Sequence, residues 1–311
     1  MTIRMKAKIR VLVRRAAAKL IGDYTPPDLD YSQELLKELE NAMEGAPAGS
    51  EWAGFTAEIA KALRLNGANQ FLRLPPIAKT LHSRQRSAAG RYWAYLLGSK
   101  RFSPTLHRAL TESPVGKPLL NPHYPLSSPL LVQHGYHLVR LLESTDFDLS
   151  KLRLVADFGG GYGSFFRLLR NLEYRDQYII CDLPTMCALQ RFYLRNIFPE
   201  PGGKPPSNLR WLSGALRERL QRAAAEHSPS LFVATWSLSE TPLSVRTEVA
   251  PALASFNYIL LTYQRSFGTY NNVEYFTALQ ESMPEFVWQH TECSVYRNNF
   301  YLIGQRRPVR V

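Results

Sequence analysis

Short apolar segments alternate with segments of helical periodicity from residue 152 onward, and this alternation restricts the fold more than any other feature of the sequence. The predicted strands lie at 152–158, 178–182, 209–212, 230–236 and 257–263. The predicted helices between them lie at 165–172, 186–198, 215–225 and 242–254. Crossover connections between parallel strands are right-handed. This order therefore predicts a mainly parallel sheet with helices on both faces.

The last part of the chain departs from this alternation. A predicted helix at 273–282 is followed by two apolar segments, 286–290 and 300–306, whose link is too short for a crossover. Such a link indicates an antiparallel hairpin. The sequence thus predicts an α/β fold with a doubly wound, seven-stranded sheet that is mainly parallel and ends in an antiparallel hairpin.

The first third of the chain has a helical pattern instead. Apolar residues recur with helical spacing at 31–43, 51–65 and 86–98, and five prolines then fall between residues 111 and 129, ahead of a predicted helix at 130–143. Because proline disrupts helices and central strands, we interpret 111–129 as a linker, with a loop over a binding site as the alternative. We therefore divide the chain into a helical N-terminal cap, 1–127, and an α/β domain, 128–311.

The net charge of +12 is concentrated in one segment. Residues 1–21 hold seven lysines and arginines and no acidic residue, which leaves +5 for the rest of the chain. Interleaved apolar residues predict a basic amphipathic helix there, which is either a solvated terminal helix or a peripheral contact with an anionic membrane or an acidic partner. Because the remainder is only mildly basic, nucleic acid is not expected as a partner.

Composition and cysteine spacing restrict the class and the compartment. With 45% hydrophobic residues the chain can bury a sizeable core, which excludes disorder as its main state. No apolar segment reaches the ~18 residues of a membrane-spanning helix, and no segment near residue 1 has the charged-then-apolar layout of a secretory signal. The three cysteines, Cys181, Cys187 and Cys293, form neither a disulfide framework nor a zinc pattern. We expect a cytoplasmic protein, with the inner membrane surface as the alternative location.

The first predicted strand ends in an acidic residue and a run of glycines: Asp157, Gly159, Gly160, Gly161 and Gly163. Glycines at such a position let the backbone turn sharply and approach a ligand, and the following helix offers unpaired N–H groups. The dinucleotide fingerprint would need a glycine where Ser164 stands, and the phosphate-loop ending is absent. Nucleotide phosphates are therefore disfavoured, and a purely structural turn is the alternative to binding of another ligand.

A second carboxylate follows the next predicted strand. Asp182 comes 19 residues after Gly163 and precedes Leu183 and Pro184. A carboxylate at the carboxyl end of a neighbouring strand can accept hydrogen bonds from both hydroxyls of a ribose. Capping of the helix that Pro184 begins is the alternative role.

These two strand ends resemble the first motifs of the class I S-adenosylmethionine-dependent methyltransferases. The segments DFGGGYGSFFRLL, YIICDLPTMCALQRFYLRNIFP, FVATWSLSETPLSV and YRNNFYLIG are also similar to blocks of a bacterial sugar O-methyltransferase family, so the resemblance covers about residues 128–306. It implies a Rossmann-like fold, S-adenosylmethionine as cofactor, and a hydroxyl of a sugar or glycosylated small molecule as acceptor. It also implies that the glycine turn surrounds the methionine part of the cofactor, with Asp157 at the amino group. Asp182 is then expected at the ribose, and Leu183 is a further candidate cofactor contact.

Methyl transfer to a hydroxyl also needs a base near the carboxyl ends of the strands. Glu240 follows the fourth strand and is one candidate, with a charge at a helix N-terminus as its alternative role. His290 in the predicted hairpin and His123 in the linker are the others, because the pKa of histidine suits a base. Trp236 and Ser237 end the fourth strand, where groups that contact the adenine or the acceptor are expected.

Two other functions remain as alternatives. One is methylation of another natural-product alcohol or of RNA, and the other is non-catalytic cofactor binding in a scaffold. Against RNA, no known RNA-binding module precedes the α/β domain, and the fourth strand lacks the Asn/Asp-Pro-Pro-aromatic turn of enzymes that methylate base nitrogens. No tight group of His, Asp and Glu indicates a metal site, so a divalent metal is not favoured. The sequence predicts neither the acceptor's identity nor the oligomeric state.

Overall fold

The computed structural model describes residues 31–44 and 51–308, so the predicted basic helix at 1–21 lies outside the described residues. The chain forms two compact units that interleave along the sequence. Among the described residues, the first unit holds those up to His137 with Gly161–Leu172 and Pro184–Pro206, and the second holds the others. The boundary proposed between residues 127 and 128 stays a prediction, since the units interleave rather than follow one another.

The first unit is helical. Its helices are α1 (Ser32–Glu44), α2 (Glu51–Asn66), α3 (Pro75–Gly98), α4 (Pro104–Ala109), the first half of α5 (Pro129–Ser144), α6 (Ser164–Asn171) and α7 (Pro184–Ile197). The proline-rich segment has no helix until Pro129 begins α5, as its prolines predict.

Ion pairs connect two helices of this unit, α1 and α7. The α1 carboxylates of Glu34 and Glu38 lie 2.8 Å and 2.7 Å from the guanidinium groups of Arg195 and Arg191 in α7. Leu35 and Leu39 of α1 are fully buried, because their spacing places both on one helical face. The apolar face and the ion pairs together hold α1 along α7.

The second unit contains the sheet. Its strands are β1 (Leu154–Phe158), β2 (Gln177–Cys181), β3 (Leu209–Leu212), β4 (Ser230–Thr235), β5 (Tyr258–Gln264), β8 (Phe286–Glu292) and β9 (Asn299–Arg306), and a separate short hairpin joins β6 (Ser266–Phe267) to β7 (Tyr270–Asn271). Three helices belong to this unit entirely: α8 (Leu216–Glu226), α9 (Leu243–Leu253) and α10 (Asn272–Glu281).

The sheet order is β3-β2-β1-β4-β5-β9-β8. The first five strands are parallel, and β9 runs antiparallel to both β5 and β8. The reversal of strand order between β1 and β4 is the mark of a doubly wound sheet. The predicted α/β fold with seven strands and an antiparallel hairpin is confirmed.

One face of the sheet carries the main core of this unit. Alternate strand residues, such as Leu154 and Ala156 of β1 and Phe232 of β4, pack with Leu220 of α8 and Phe276 of α10 in one apolar cluster. Because side chains alternate along a strand, Val155 and Asp157 lie on the opposite face. The three cysteines are free and buried.

Several elements did not emerge from the sequence pattern. Helix α3 starts at Pro75 rather than residue 86, α4 has only six residues, and β6 and β7 have two residues each. The elements α4, β6 and β7 are so short that they show too few periods for a helical or alternating pattern to be recognised. Within the described residues, no helix is both long enough and apolar enough to cross a membrane.

Candidate functional site

The strand order brings the ends of β1 and β4 side by side at the point where it reverses. Asp157 of β1 pairs in register with Val233 of β4, and Phe158 pairs with Cys181 of β2 on the other side. Ligands of open parallel sheets bind at the carboxyl ends of the strands next to such a reversal. The turns after β1, β2 and β4 therefore form the candidate site.

The turn after β1 depends on glycine. Gly159, Gly161 and Gly163 have φ angles of 72°, 60° and 93°, a backbone region that residues with a Cβ rarely adopt. A Cβ at Gly159 would also collide with the side chain of Ser237, and one at Gly160 would lie 2.9 Å from the Ile180 side chain. Both the backbone conformation and the available space therefore require glycine at the start of the turn.

Gly161 and Gly163 contact helix α7, which belongs to the same unit. The Gln190 side chain donates a hydrogen bond to the carbonyl of Gly161 at 2.8 Å, and a Cβ at Gly163 would lie 2.9 Å from Leu194. These contacts fix the backbone just ahead of α6.

Asp157 is the buried carboxylate of the site. Its side chain accepts a hydrogen bond from the Tyr178 hydroxyl at 2.8 Å. Burial raises the pKa of Asp157 to about 7, the Tyr178 hydrogen bond opposes this shift, and the negative charge of Asp182 adds to it. A cation beside Asp157 would favour the ionised carboxylate, which burial disfavours, and the two charges would attract each other.

Asp182 lies at the end of β2 and is partly exposed. Its backbone N–H bonds to Leu212 of β3 at 3.2 Å, and its Oδ1 accepts a hydrogen bond from the Leu183 N–H at 2.8 Å. Leu183 precedes α7, so this bond is not a cap of the first helical turn. The two predicted carboxylates flank the paired residues Phe158 and Cys181, Asp157 preceding Phe158 and Asp182 following Cys181.

The turn after β4 has an unusual backbone at Trp236, with φ 64°. A positive φ at a bulky residue is strained and needs support from its surroundings. The indole Nε1 donates to Asn299 Oδ1 at 2.6 Å, and the backbone N–H donates to the Thr262 carbonyl at 2.8 Å. The Ser237 hydroxyl donates to the carbonyl of Phe158, so this turn packs on the end of β1.

Glu240 lies four residues after Trp236 and is partly buried. The Gln264 amide donates to Glu240 Oε1 at 3.1 Å and accepts from the Ser239 hydroxyl at 3.0 Å. Because both ends of the amide are engaged, Gln264 fixes the orientation of the Glu240 carboxylate at the carboxyl ends of β4 and β5.

The same turn is supported from within the core by Arg246 of α9, which is completely buried. Its guanidinium donates to the carbonyls of Ser239 and Thr241 at 2.6 Å and 2.9 Å, and to Asn272 Oδ1 at 2.8 Å. Several fixed hydrogen bonds to one planar group hold the turn rigid.

The two candidate histidines lie in different units. His290 pairs with Leu302, so its side chain lies on the sheet face with the main core, opposite to Asp157. It contacts the Tyr263 hydroxyl, and burial lowers its pKa. Its strand is four positions from β1, which corresponds to about 19 Å at ~4.8 Å a strand. His123 is exposed in the first unit, where a Cβ at Gly90 would lie 2.7 Å from its ring.

Sequence reasoning missed four residues that support the site: Tyr178, Arg246, Asn272 and Asn299. Tyr178 could have been found from strand alternation, because it shares a face with Ile180 next to Asp157. The other three could not, since Arg246 and Asn272 are 26 positions apart in the sequence and Asn299 is 63 positions from Trp236, so these contacts depend on the folded chain. No group of three or more His, Cys, Asp and Glu residues that could hold a metal ion occurs in the described part of the chain.

Comparison with known proteins gives weak similarities to solved structures alone. No family model matches the chain, and no curated protein sequence matches it. Human N-acetylserotonin methyltransferase in complex with S-adenosylmethionine is 13% identical, over 86% of this chain and 70% of that chain, with TM-score 0.37. The magnesium protoporphyrin IX methyltransferase of Synechocystis is 13% identical over 74% and 96%, with TM-score 0.40, and PigF with S-adenosylhomocysteine is 11% identical over 94% and 98%, with TM-score 0.38.

Similarity at this level says nothing about chemistry or substrate. The fold assignment rests on the strand order of the chain's own sheet, and the function has to be argued from the site.

Proposed function

We propose that this protein is an S-adenosylmethionine-dependent O-methyltransferase that methylates a hydroxyl of a sugar or glycosylated small molecule. The observation that carries the proposal is the pair of carboxylates, Asp157 and Asp182, beside a positive-φ glycine turn where the strand order reverses.

The chemistry of these groups fits the cofactor. S-adenosylmethionine has an ammonium group, a sulfonium and a ribose with two hydroxyls, and carboxylates complement all three. Asp157 would accept hydrogen bonds from the ammonium. Its pKa is raised because the carboxylate is buried without a neighbouring cation, and the ammonium would supply that cation. Asp182, partly exposed at the next strand end, would accept the ribose hydroxyls. The glycines would leave room for the backbone to approach the methionine part.

When bound, the cofactor supplies a methyl group on a positively charged sulfur. The protein's own residues would hold the acceptor oxygen in line and remove its proton. Among the three candidate bases we assign this role to Glu240, because Gln264 orients its carboxylate at the carboxyl edge of the sheet. The sugar as acceptor is supported by the resemblance of the TWSLSETP turn and its neighbouring segments.

Substitution of Asp182 tests the cofactor assignment. We expect Asp182→Ala to weaken S-adenosylmethionine binding by an order of magnitude or more, because a bidentate hydrogen bond to a charged group contributes ~1.5–3 kcal/mol. Isothermal titration calorimetry measures the affinity directly. Asp176→Ala is the matched control: this carboxylate pairs with Arg153 at 3.3 Å near the other end of β2, and its loss should leave the affinity unchanged.

Unchanged affinity in Asp182→Ala would show that the ribose assignment is wrong. Transfer of a labelled methyl group to a panel of glycosides, phenols and generic RNA then separates the proposed acceptor class from the alternatives. Binding without transfer to any of them would favour a cofactor-binding scaffold.

A further inference from the structure

One buried arginine holds the backbone on both sides of Glu240. The Gln264 amide donates to Glu240 Oε1 at 3.1 Å, which places this carboxylate between the ends of β4 and β5. Arg246 of α9 donates through Nη2 to the Ser239 carbonyl at 2.6 Å and through Nε to the Thr241 carbonyl at 2.9 Å. These two carbonyls belong to the residues directly before and after Glu240, so the guanidinium fixes the segment that carries the carboxylate.

The same guanidinium reaches the end of β5 through Asn272, the first residue of α10. Arg246 Nη1 donates to Asn272 Oδ1 at 2.8 Å, and Asn272 Nδ2 donates to the Gln264 carbonyl at 2.9 Å. Asn272 is completely buried, and with both ends of its amide engaged only one orientation satisfies the two bonds. Arg246 is thus connected to both partners of the hydrogen bond between Gln264 and Glu240.

The chemistry of Arg246 indicates a geometric role. The hydrogen bonds described for it all go to neutral oxygens, and its Cζ lies 5.1 Å and 5.0 Å from the ring centroids of Tyr270 and Tyr275. Removing a cation from water is costly, and an apolar side chain of similar volume would avoid that cost. A planar guanidinium, however, offers five N–H donors in a rigid arrangement, so it can hold three separate acceptors at once.

We propose that Arg246 is a positioning residue for methyl transfer, acting through Glu240 by holding its carboxylate and the Gln264 amide in one relative arrangement. The inference rests on the proposed function, in which Glu240 removes the proton of the acceptor hydroxyl. A base has to lie within hydrogen-bond reach of the proton that it removes, so a small displacement of Glu240 lowers the rate.

Arg246→Lys tests the proposal, because lysine keeps the charge but has its three donors on one nitrogen and cannot span the same acceptors. Transfer of a labelled methyl group is measured with the best acceptor in the panel of glycosides and phenols, and affinity for S-adenosylhomocysteine is measured by calorimetry. We expect kcat to fall about tenfold to a hundredfold, with the acceptor KM and the affinity unchanged. This division separates a positioning role from general loss of structure.

Arg306→Lys is the matched control. Arg306 Nε donates to the Phe256 carbonyl at 3.1 Å and its Cζ lies 5.3 Å from the Phe286 ring centroid, at the amino end of the same sheet. It therefore makes the same kinds of contact away from Glu240, and we expect its replacement to leave kcat unchanged.

Two further variants test the connection to Glu240. Arg246→Lys should lower kcat no further once Glu240→Gln has removed the base. Asn272→Asp keeps an oxygen for Arg246 and adds a charge that pairs with it, but removes the donor to the Gln264 carbonyl. It should lower kcat without lowering the urea concentration at the unfolding midpoint, so it tests the role even if Arg246→Lys does not fold.

Wild-type kcat in either Arg246→Lys or Asn272→Asp, or losses that multiply in the double variant, would overturn the role of Arg246 while transfer by the wild-type chain still supported the proposed function. Wild-type kcat in Glu240→Gln would overturn this inference and the choice of base, and leave the cofactor site supported by weak binding in Asp182→Ala. A wild-type chain that neither binds S-adenosylhomocysteine nor transfers the label would overturn the proposed function, and this inference with it.

Discussion

Asp157 is a fully buried acid whose one described hydrogen bond comes from Tyr178. A free aspartate has a pKa of 3.8, and burial raises that of Asp157 to about 7. Because the folded state holds this proton more tightly than the unfolded chain, Asp157 lowers the free energy of unfolding progressively as the pH rises from about 4 to about 7.

Affinity for the cofactor should have the opposite dependence on pH. If the carboxylate form of Asp157 binds the ammonium, affinity should rise by up to about tenfold between pH 6 and pH 8, and binding near pH 7 should release a proton. Calorimetry in two buffers of different ionisation enthalpy measures both quantities. Asp157→Asn keeps the Tyr178 partner but should bind weakly at every pH and be more stable than the wild type at pH 8. A wild-type affinity that does not vary with pH would contradict this account.

Individual site residues differ in whether a local sequence pattern can identify them. Asp157, Asp182 and the glycines follow apolar strands directly, so a linear pattern was enough to select them. Trp236 and Glu240 follow the fourth strand directly in the sequence, but their partners Asn299 and Gln264 come from β9 and β5. Those pairings depend on which strands become neighbours, and no local pattern contains that information.

Among the elements, the glycine turn and the turn after β4 are packed against each other through Gly159 and Ser237. Gly214 is a natural comparison, because its φ is 80° but nothing lies near an added Cβ. Gly214→Ala therefore tests backbone strain alone, and Gly159→Ala tests strain with a collision.

We expect Gly214→Ala to lower the free energy of unfolding by about 1–2 kcal/mol through backbone strain. Gly159→Ala should lower it by roughly 1–3 kcal/mol more, because the packed neighbour has to move. Urea denaturation measures both values. Ser237→Gly should restore part of the additional loss in a double variant, and equal effects of the two alanines would show that the close packing contributes nothing.

Helix α5 carries two fully buried histidines, His134 and His137, with ring centroids 6.1 Å apart. Burial lowers the pKa of His134 to about 3, and it lowers that of His137 well below 6.5, with a further contribution from the charge of His134. Both rings are therefore neutral in the folded protein at neutral pH.

The free energy of unfolding should fall as the pH drops from about 6.5 towards 3, since the unfolded chain takes up protons that the buried rings cannot. His134→Phe should make this decline shallower, with the ring kept against Phe165. Denaturation of both proteins from pH 7.5 to pH 4 measures the two slopes. Identical slopes would mean that protonation of His134 does not limit acid stability.

At the scale of the whole molecule, the charge and the fold are separate features. The predicted basic helix at 1–21 holds seven of the positive charges, outside the described residues. If this segment makes the peripheral membrane contact rather than a solvated terminal helix, deletion of residues 1–21 should abolish binding to vesicles containing anionic phosphatidylglycerol and leave affinity for S-adenosylhomocysteine unchanged. Vesicle sedimentation at low and high salt measures the first effect. Equal sedimentation of both chains would assign the basic segment another role.

The class of the fold could be predicted from the sequence, but its organisation could not. Alternating strands and helices predict a doubly wound sheet because the crossover connections between parallel strands are right-handed. The interleaving of two compact units depends instead on which helices pack with one another. Helices α1 and α7, for example, are joined by the contact between Glu38 and Arg191, which are 153 positions apart.

The place of β9 between β5 and β8 has a consequence for synthesis on the ribosome. The edge of β5 that faces away from β4 can pair with β9 only after residues 299–306 have been synthesised. Strand β8 is synthesised before β9 but does not pair with β5. At ~5–20 residues per second, the β5 edge stays open for roughly two to eight seconds. A translational pause within that interval would lengthen the exposure of an apolar strand edge, so codon choice between β5 and β9 should influence how much of the nascent protein aggregates.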